Sequence, residues 1–356
     1  MVARHDTRPT IVRLPTGSLC VATANRSLWH LSCDRPTRLV GPIGQDSHHL
    51  PAGHLDSGMS SSGQRKQLAL RHLRHPARAA KSVFRQGRRV ARTRMAKRRT
   101  ERDSRHIRRG SRSRCWCGGE LLPFRHHPSY GRCGQCGSYV NQRPPLQEDL
   151  PELYSLDSYW KRRQALKGHP TIEGRAELYR KDGRLDAWLR LVDRYGAPGG
   201  SVVEIGCAPG VLLESLSKRG YRCTGVEISE AVAAWMRDRL ALDIRAGFFP
   251  GVDLPSCDLF LAFDTLEHSP SPDAFLREAA RLLVPGGVAI IQTAIERYGY
   301  TPPFGERFDL FDDLEHLFLF TDEAMTRLAA EARLGVVTLD ECLWLGGEIA
   351  VFRKAT

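Results

Sequence analysis

Residues 201–210 read Ser201-Val202-Val203-Glu204-Ile205-Gly206-Cys207-Ala208-Pro209-Gly210, a short apolar run that breaks into a glycine-bearing turn, and 211–216 continue as the start of a helix. A strand that turns directly into a helix is the building unit of α/β sheets. Glycine at the turn reaches backbone angles closed to other residues and lets a ligand approach the main chain. The pattern continues outward. Strand signals at 221–226, 259–263 and 288–291 alternate with helix signals at 231–240 and at Leu276, Ala279, Ala280 and Leu283. Residues 259–263 are continuously apolar, as a strand buried on both faces must be. Pro285-Gly286-Gly287 predicts a turn, and Thr321, followed by Asp322 and Glu323, predicts a helix N-cap. Two closing strands, 334–342 and 347–353, meet near Gly346-Gly347. Before the turn, Leu185, Trp188, Leu189 and Val192 recur at helical spacing, and 197–200 end that helix. The reading is an α/β fold with a doubly wound, mostly parallel sheet and one antiparallel edge strand.

In an open sheet of this kind, ligands bind beyond the carboxyl ends of the strands. Glu227 ends the second strand, 21 residues after Gly206. A carboxylate there can accept hydrogen bonds from both hydroxyls of a ribose. The spacing is not G-x-G-x-x-G, and no Gly-Lys-Ser/Thr stands ready for phosphates. A nucleoside ligand without a phosphate clamp points to S-adenosylmethionine. A helix-entry turn and a surface glutamate would explain the two features singly; their register with the strands favours a ligand.

Residues 201–293 resemble the core of class I S-adenosylmethionine-dependent methyltransferases. The family's acid-x-Gly-x-Gly-x-Gly pattern appears as Glu204 through Gly210, its segment after the fourth strand as Phe263-Asp264-Thr265-Leu266-Glu267-His268, and its next turn as 283–287. With the region through Thr321 the likeness covers about 120 residues and is similar to the bacterial branch that includes ubiquinone-pathway O-methyltransferases. It implies cofactor contacts at Glu204, Gly206, Cys207, Ala208, Gly210, Glu227, Ile228, Phe248, Asp264 and Leu266. Two departures stand out. Ala208 replaces the middle glycine, and Arg245-Ala246-Gly247-Phe248 lacks the acid that often meets the adenine amino group, leaving Phe248 to abut the ring.

The resemblance implies an in-line transfer, for which the protein aligns the acceptor and excludes water. A hydroxyl acceptor also needs a base. The candidates are His268, after the fourth strand, and His316; an ordering role in the loop and plain packing are the respective alternatives. His316 belongs to a segment, 298–320, that holds Tyr298, Tyr300, Phe304, Phe308, Phe311, Phe318 and Phe320. That segment predicts an acceptor pocket or lid, with core packing as its competing use, and would carry His316 inward on closure.

Cys115-x-Cys117 and Cys133-x-x-Cys136 form two cysteine pairs, each followed by glycine. Four thiolates fill a tetrahedral zinc, which makes the site structural and the module a small zinc ribbon. Free thiols remain the alternative, and His126 and His127 are alternative ligands. The other six cysteines have no partner spacing.

Charge divides the chain sharply. Residues 1–114 hold 26 Lys+Arg against 6 Asp+Glu, while the remaining 242 residues carry a net −7, within a total of +13. Residues 1–110 show no sustained period and read as a disordered basic leader. A nucleic-acid arm, a solvated tail and a translation start at Met59 or Met95 all stay open. The remaining divisions are a ribbon at 111–143, a linker with N-terminal helices at 144–198, and the S-adenosylmethionine-binding domain at 199–356. No apolar run reaches the roughly 18 residues that span a bilayer, so no membrane insertion and a cytoplasmic setting are expected. The expected reaction moves a methyl group to a small-molecule or sugar-like acceptor, on oxygen, giving S-adenosylhomocysteine. The alternative is an RNA methyltransferase that grips RNA through the ribbon and the basic arm. The segment Asp264-Thr265-Leu266-Glu267 speaks against the latter, because enzymes that methylate base amino groups commonly carry Asn/Asp-Pro-Pro-aromatic there.

Overall fold

The computed structural model describes residues 106–166, 170–296, 311–343 and 347–356, together with the backbone of three strands before residue 34. Two compact units divide the chain, Met1–Arg85 and Gln86–Thr356.

In the first unit, β1 (Thr10–Arg13), β2 (Leu19–Asn25) and β3 (Leu28–Cys33) pair antiparallel in that order. The expected disordered leader spans 1–110, most of which lies outside the described residues. The β-branched run Thr10-Ile11-Val12, with Val21 and Thr23, favours extended backbone, and Pro15-Thr16-Gly17 lies between β1 and β2 in the sequence. Residues 34–105 lie outside the described residues.

The second unit begins with the cysteine module, β4 (Leu121–Pro123), β5 (Tyr130–Cys133) and β6 (Tyr139–Asn141). The stretch read as a linker is largely helical. Short helical turns cover Gln147–Asp149 and Leu150–Leu153, followed by a π-helix at Leu156–Arg163 whose N-cap, Ser155, accepts from Ser158 N at 3.1 Å. None of these pieces is long enough to display a helical stripe in the sequence. Helices α1 (Ile172–Lys181) and α2 (Arg184–Tyr195) follow, and the stripe of Leu185, Trp188, Leu189 and Val192 is buried as predicted.

The large sheet is built from β7 (Ser201–Ile205), β8 (Arg222–Glu227), β9 (Asp243–Ala246), β10 (Cys257–Phe263) and β11 (Leu283–Thr293). Between them run α3 (Val211–Lys218), α4 (Glu230–Leu240) and α5 (Pro272–Leu282). Strands β12 (Ile295–Glu296) and β13 (Phe318–Thr321) come next, then α6 (Asp322–Glu331), β14 (Leu334–Leu343) and β15 (Gly347–Lys354). The strand order is β14-β15-β11-β10-β7-β8-β9. β15 is antiparallel to both β11 and β14. The antiparallel strand is therefore second from the edge rather than at it, since β14, reached through α6, takes the outer place. The predicted turn at Pro285-Gly286-Gly287 is a bulge within β11: Cys257 pairs with Leu283, but Leu259 already pairs with Val288.

Alternate residues of the strands feed two cores. Val203, Ile205, Phe260, Ala262 and Ile291 pack on one side, with α5 and α6. Val202, Leu259, Leu261 and Ile290 pack on the other, with α1 to α4. The cysteine module does not stand apart from this architecture. Strand β6 pairs antiparallel with β13, giving a second sheet of order β12-β13-β6-β5-β4, and Cys115, Cys133 and Cys136 share a core with Phe318 and Phe320.

Candidate active site

A cavity of about 400 Å³ opens at the carboxyl ends of β7, β8 and β10. The glycine turn forms one wall. Gly206 has φ +71°, and a Cβ there would come within 2.5 Å of Thr265 Oγ1. Its amide and that of Cys207 both donate to Val226 O, at 2.9 and 3.2 Å, which ties the turn to β8. Gly206, Cys207 and Ala208 line the cavity, as do Glu204, Glu227, Ile228, Phe248 and Asp264. Gly210 and Leu266 do not. Gly210 holds the left-handed turn at the start of α3, and Leu266 is fully buried in the core.

Both acids are buried. Glu204 Oε2 has no hydrogen-bond partner among the described residues, and desolvation holds this carboxyl well above the usual range. A buried oxygen left without a partner costs free energy unless a ligand donor satisfies it. Glu227 Oε1 accepts from Ser229 N at 3.1 Å, and burial pushes this carboxyl up to about 7. A buried acceptor pair beside a glycine cradle fits a cofactor that offers an amino group and hydroxyls. No acid replaces the missing one at 245–248, and Phe248 packs against the cluster of Ile107, Leu150, Leu153 and Leu314.

The other end of the cavity holds His268 and His316, with ring centroids 5.1 Å apart. His268 Nδ1 lies 2.6 Å from Glu315 O. A carbonyl can only accept, so the proton sits on Nδ1 and the lone pair on Nε2. Nε2 lies 3.9 Å from Glu267 Oε1. Glu267 is buried, its other oxygen accepts from Thr293 Oγ1 at 2.8 Å, and desolvation, then the nearby Asp264 charge, raise its carboxyl. Ligand atoms of Glu267, His268 and His316 all lie within 4.8 Å of one another. The expected lid does not deliver His316, which already stands beside His268. Phe311, Phe318 and Phe320 are buried core residues, while Tyr298, Tyr300, Phe304 and Phe308 lie outside the described residues.

The aromatic wall comes instead from Tyr154, Tyr159, Trp160 and Tyr179. Tyr154 Oη stands 3.1 Å from His268 Nδ1. Glu315 is clamped from below by Arg163, 1% exposed, at 2.6 Å. Sequence reasoning missed these residues; three aromatics within 154–160 were the available signal.

Away from the cavity, Cys115 Sγ and Cys136 Sγ are 3.6 Å apart, Cys117 Sγ and Cys133 Sγ 3.5 Å, and all four fall within 4.8 Å. None of the four is joined in a disulfide. Backbone N–H groups of Gln135 and Cys136 point at Cys133 Sγ, and a Cβ at Gly119 would meet that sulfur at 2.5 Å. His127 stacks on Phe311 at 3.9 Å, outside this cluster.

Residues 179–339 match the family profile described as Methyltransferase domain. A ubiquinone biosynthesis O-methyltransferase of Pseudomonas aeruginosa is 33% identical over 113 residues, 28% of this chain and 47% of that protein. One of Psychrobacter cryohalolentis is 28% identical over 123 residues, 32% of this chain and 48% of that protein. The chain thus spans about half the length of the curated relatives it matches. The solved structure of S-adenosylmethionine-bound CalS10, an amino pentose methyltransferase from Micromonospora echinaspora, aligns with a TM-score of 0.42 at 18% identity, over 52% of this chain and 97% of that one. The matched segment carries the glycine turn, Glu227 and both histidines.

Proposed function

We propose that this chain transfers the methyl group of S-adenosylmethionine to a hydroxyl of a small-molecule acceptor. One observation carries the choice of oxygen: the Glu315 carbonyl fixes the His268 proton on Nδ1, so that Nε2, at the cavity, is free to take a proton. When bound, the cofactor supplies an electrophilic methyl on sulfur. The chain's residues do the rest. Glu227 would accept from the ribose hydroxyls, Glu204 would satisfy the amino group, the 206–208 turn would allow close approach, and Phe248 would abut the adenine. His268 receives the acceptor's proton, and Glu267, 3.9 Å away, stabilises the imidazolium that forms. Tyr154, Tyr159 and Trp160 exclude water and offer flat faces to an acceptor. Cys115, Cys117, Cys133 and Cys136 would hold one structural zinc: bonds of about 2.3 Å would place tetrahedral sulfurs about 3.8 Å apart, near the 3.6 and 3.5 Å of the Cys115–Cys136 and Cys117–Cys133 pairs.

Methyl-labelled cofactor offered to metabolite fractions and to RNA tests the reading. Label in a base-stable ether of a small molecule supports it; label confined to RNA, or to an amine, overturns it. Among the described residues no helix is long and apolar enough to cross a membrane.

A further inference from the structure

We propose that the cysteine module positions the catalytic base, by clamping the loop 312–317 that carries Glu315 and His316. This rests on the role given to His268 above.

The loop is held to the base directly. Glu315 O accepts from His268 Nδ1 at 2.6 Å, and Leu317 N donates to Glu267 O at 2.8 Å. On its other side the loop is held by the cysteine hairpin. Tyr130 Oη, on β5, stands 3.0 Å from Asp312 O and 2.7 Å from His316 O, so one hydroxyl bridges the two ends of the turn. Asn141, on β6, donates from Nδ2 to Asp313 O and from its backbone to Leu317 O, both at 2.9 Å. Ser129 Oγ donates to Asp313 Oδ2 at 3.0 Å, and the Arg109 guanidinium donates to Asp313 O. Beyond the loop, β6 continues into its pairing with β13.

That hairpin is closed by the cysteines. Cys133 ends β5 and its N–H donates to Ser138 O at 2.8 Å, while Cys136 Sγ meets Ser138 Oγ at 3.3 Å. The knuckle is in turn fastened to the helix after β13: Thr321 Oγ1 donates to Cys136 O at 2.6 Å, and Arg327 donates to Cys117 O at 3.3 Å. A three-stranded hairpin with strands of three and four residues is marginal alone. Tetrahedral closure of its sulfurs supplies the rigidity that Tyr130 and Asn141 pass to the loop. The module's position explains why it lies beside, and not within, the cavity. It acts on Nδ1 of His268 through the carbonyl that selects the tautomer.

The test uses the full chain and needs no acceptor. Neutral histidine in water favours the proton on Nε2, so a pinned Nδ1–H has a distinct 15N ring signature. Wild-type protein should show His268 in the Nδ1–H form. Tyr130→Phe, which leaves the four sulfurs untouched, should shift His268 toward the Nε2–H form and raise amide exchange in 311–317 about tenfold, with exchange in 201–211 and affinity for S-adenosylmethionine unchanged. Removing zinc with a chelator should do the same more strongly, and adding zinc back should restore the signature. An unchanged tautomer in both Tyr130→Phe and zinc-free protein overturns the proposal. So does a rise in exchange shared equally by 201–211, which would mark a role in general stability only. If zinc removal unfolds the chain, Tyr130→Phe decides alone. Failure here with methyl transfer intact would leave the functional reading standing; failure of methyl transfer with the tautomer pinned would do the reverse.

Discussion

His268 Nδ1 and the main-chain oxygen of Glu315 lie 2.6 Å apart, a contact between residues 47 positions apart in the chain. It orients an imidazole that has a buried carboxylate, Glu267, near its second nitrogen. Loss of a general base typically costs about 10²–10⁴-fold in rate. His268→Ala should lower kcat by that factor and leave calorimetric affinity for S-adenosylmethionine within about twofold. His316→Ala should affect the acceptor's KM at least as much as kcat. If both variants retain wild-type kcat across pH, the acceptor is already ionised or is an amine.

Glu227 should be the main polar anchor of the cofactor. Its carboxylate ends β8 at the cavity wall, already receiving one backbone N–H and with capacity for ligand hydroxyls. Charge-assisted hydrogen bonds contribute about 1.5–3 kcal/mol. Glu227→Ala should weaken S-adenosylmethionine binding by roughly 10- to 150-fold, from that range at about 1.4 kcal/mol per decade. Unchanged affinity by calorimetry would remove Glu227 from the site.

The same burial gives the ligand-free protein a pH signature. The Glu227 carboxyl stands at about 7 in the fold, above its ordinary 4.5, so its contribution to stability is present below the lower value and is lost as pH rises through the upper one. Glu267 is shifted in the same direction. Glu227→Gln removes one ionisation without changing shape. Its melting temperature relative to wild type should therefore rise between about pH 5 and about pH 8. Cofactor affinity of the wild type should strengthen over the same window, because ribose hydroxyls favour the ionised acceptor. Parallel melting curves for both proteins across pH would contradict the assignment.

Much of this arrangement is legible in the sequence, for local reasons. Strands buried on both faces, such as β10, must be continuously apolar, and the cysteine spacing reports its own geometry. What escapes the sequence is either too short or non-local. The π-helix at Leu156–Arg163 and the turns before it contain no full helical stripe, so the aromatic wall looked like a linker. The pairing of Val140 with Phe318 joins segments 178 residues apart, and no periodicity announces it. The aromatics at 311, 318 and 320 signalled burial correctly but not its purpose: they pack the second sheet and leave the pocket to Tyr154 and Tyr159.

Removal of residues 1–94 should leave cofactor affinity unaltered. The cofactor wall, the histidines and both cores described above lie in the unit Gln86–Thr356, within residues 107–352. Calorimetry and thermal melting of the truncated chain check this. A truncated protein that binds cofactor but no longer acts on its acceptor would assign the leader a part in acceptor capture.

The zinc prediction concerns stoichiometry and its consequence. Four thiolates within 4.8 Å of one another would repel without a cation between them, and their spacing fits a tetrahedral S₄ site. Protein purified without chelator should hold about one zinc per chain by elemental analysis. Cys133→Ser should abolish it, because Cys133 receives two backbone N–H contacts and ends the strand on which the hairpin closes. Since structural zinc contributes its binding free energy to folding, the variant should melt earlier. The loss should be larger than for Cys223→Ser, a half-buried thiol outside the cluster. Carefully prepared wild-type protein with no metal, or a Cys133→Ser variant as stable as Cys223→Ser, would show the four thiols to be ordinary core residues.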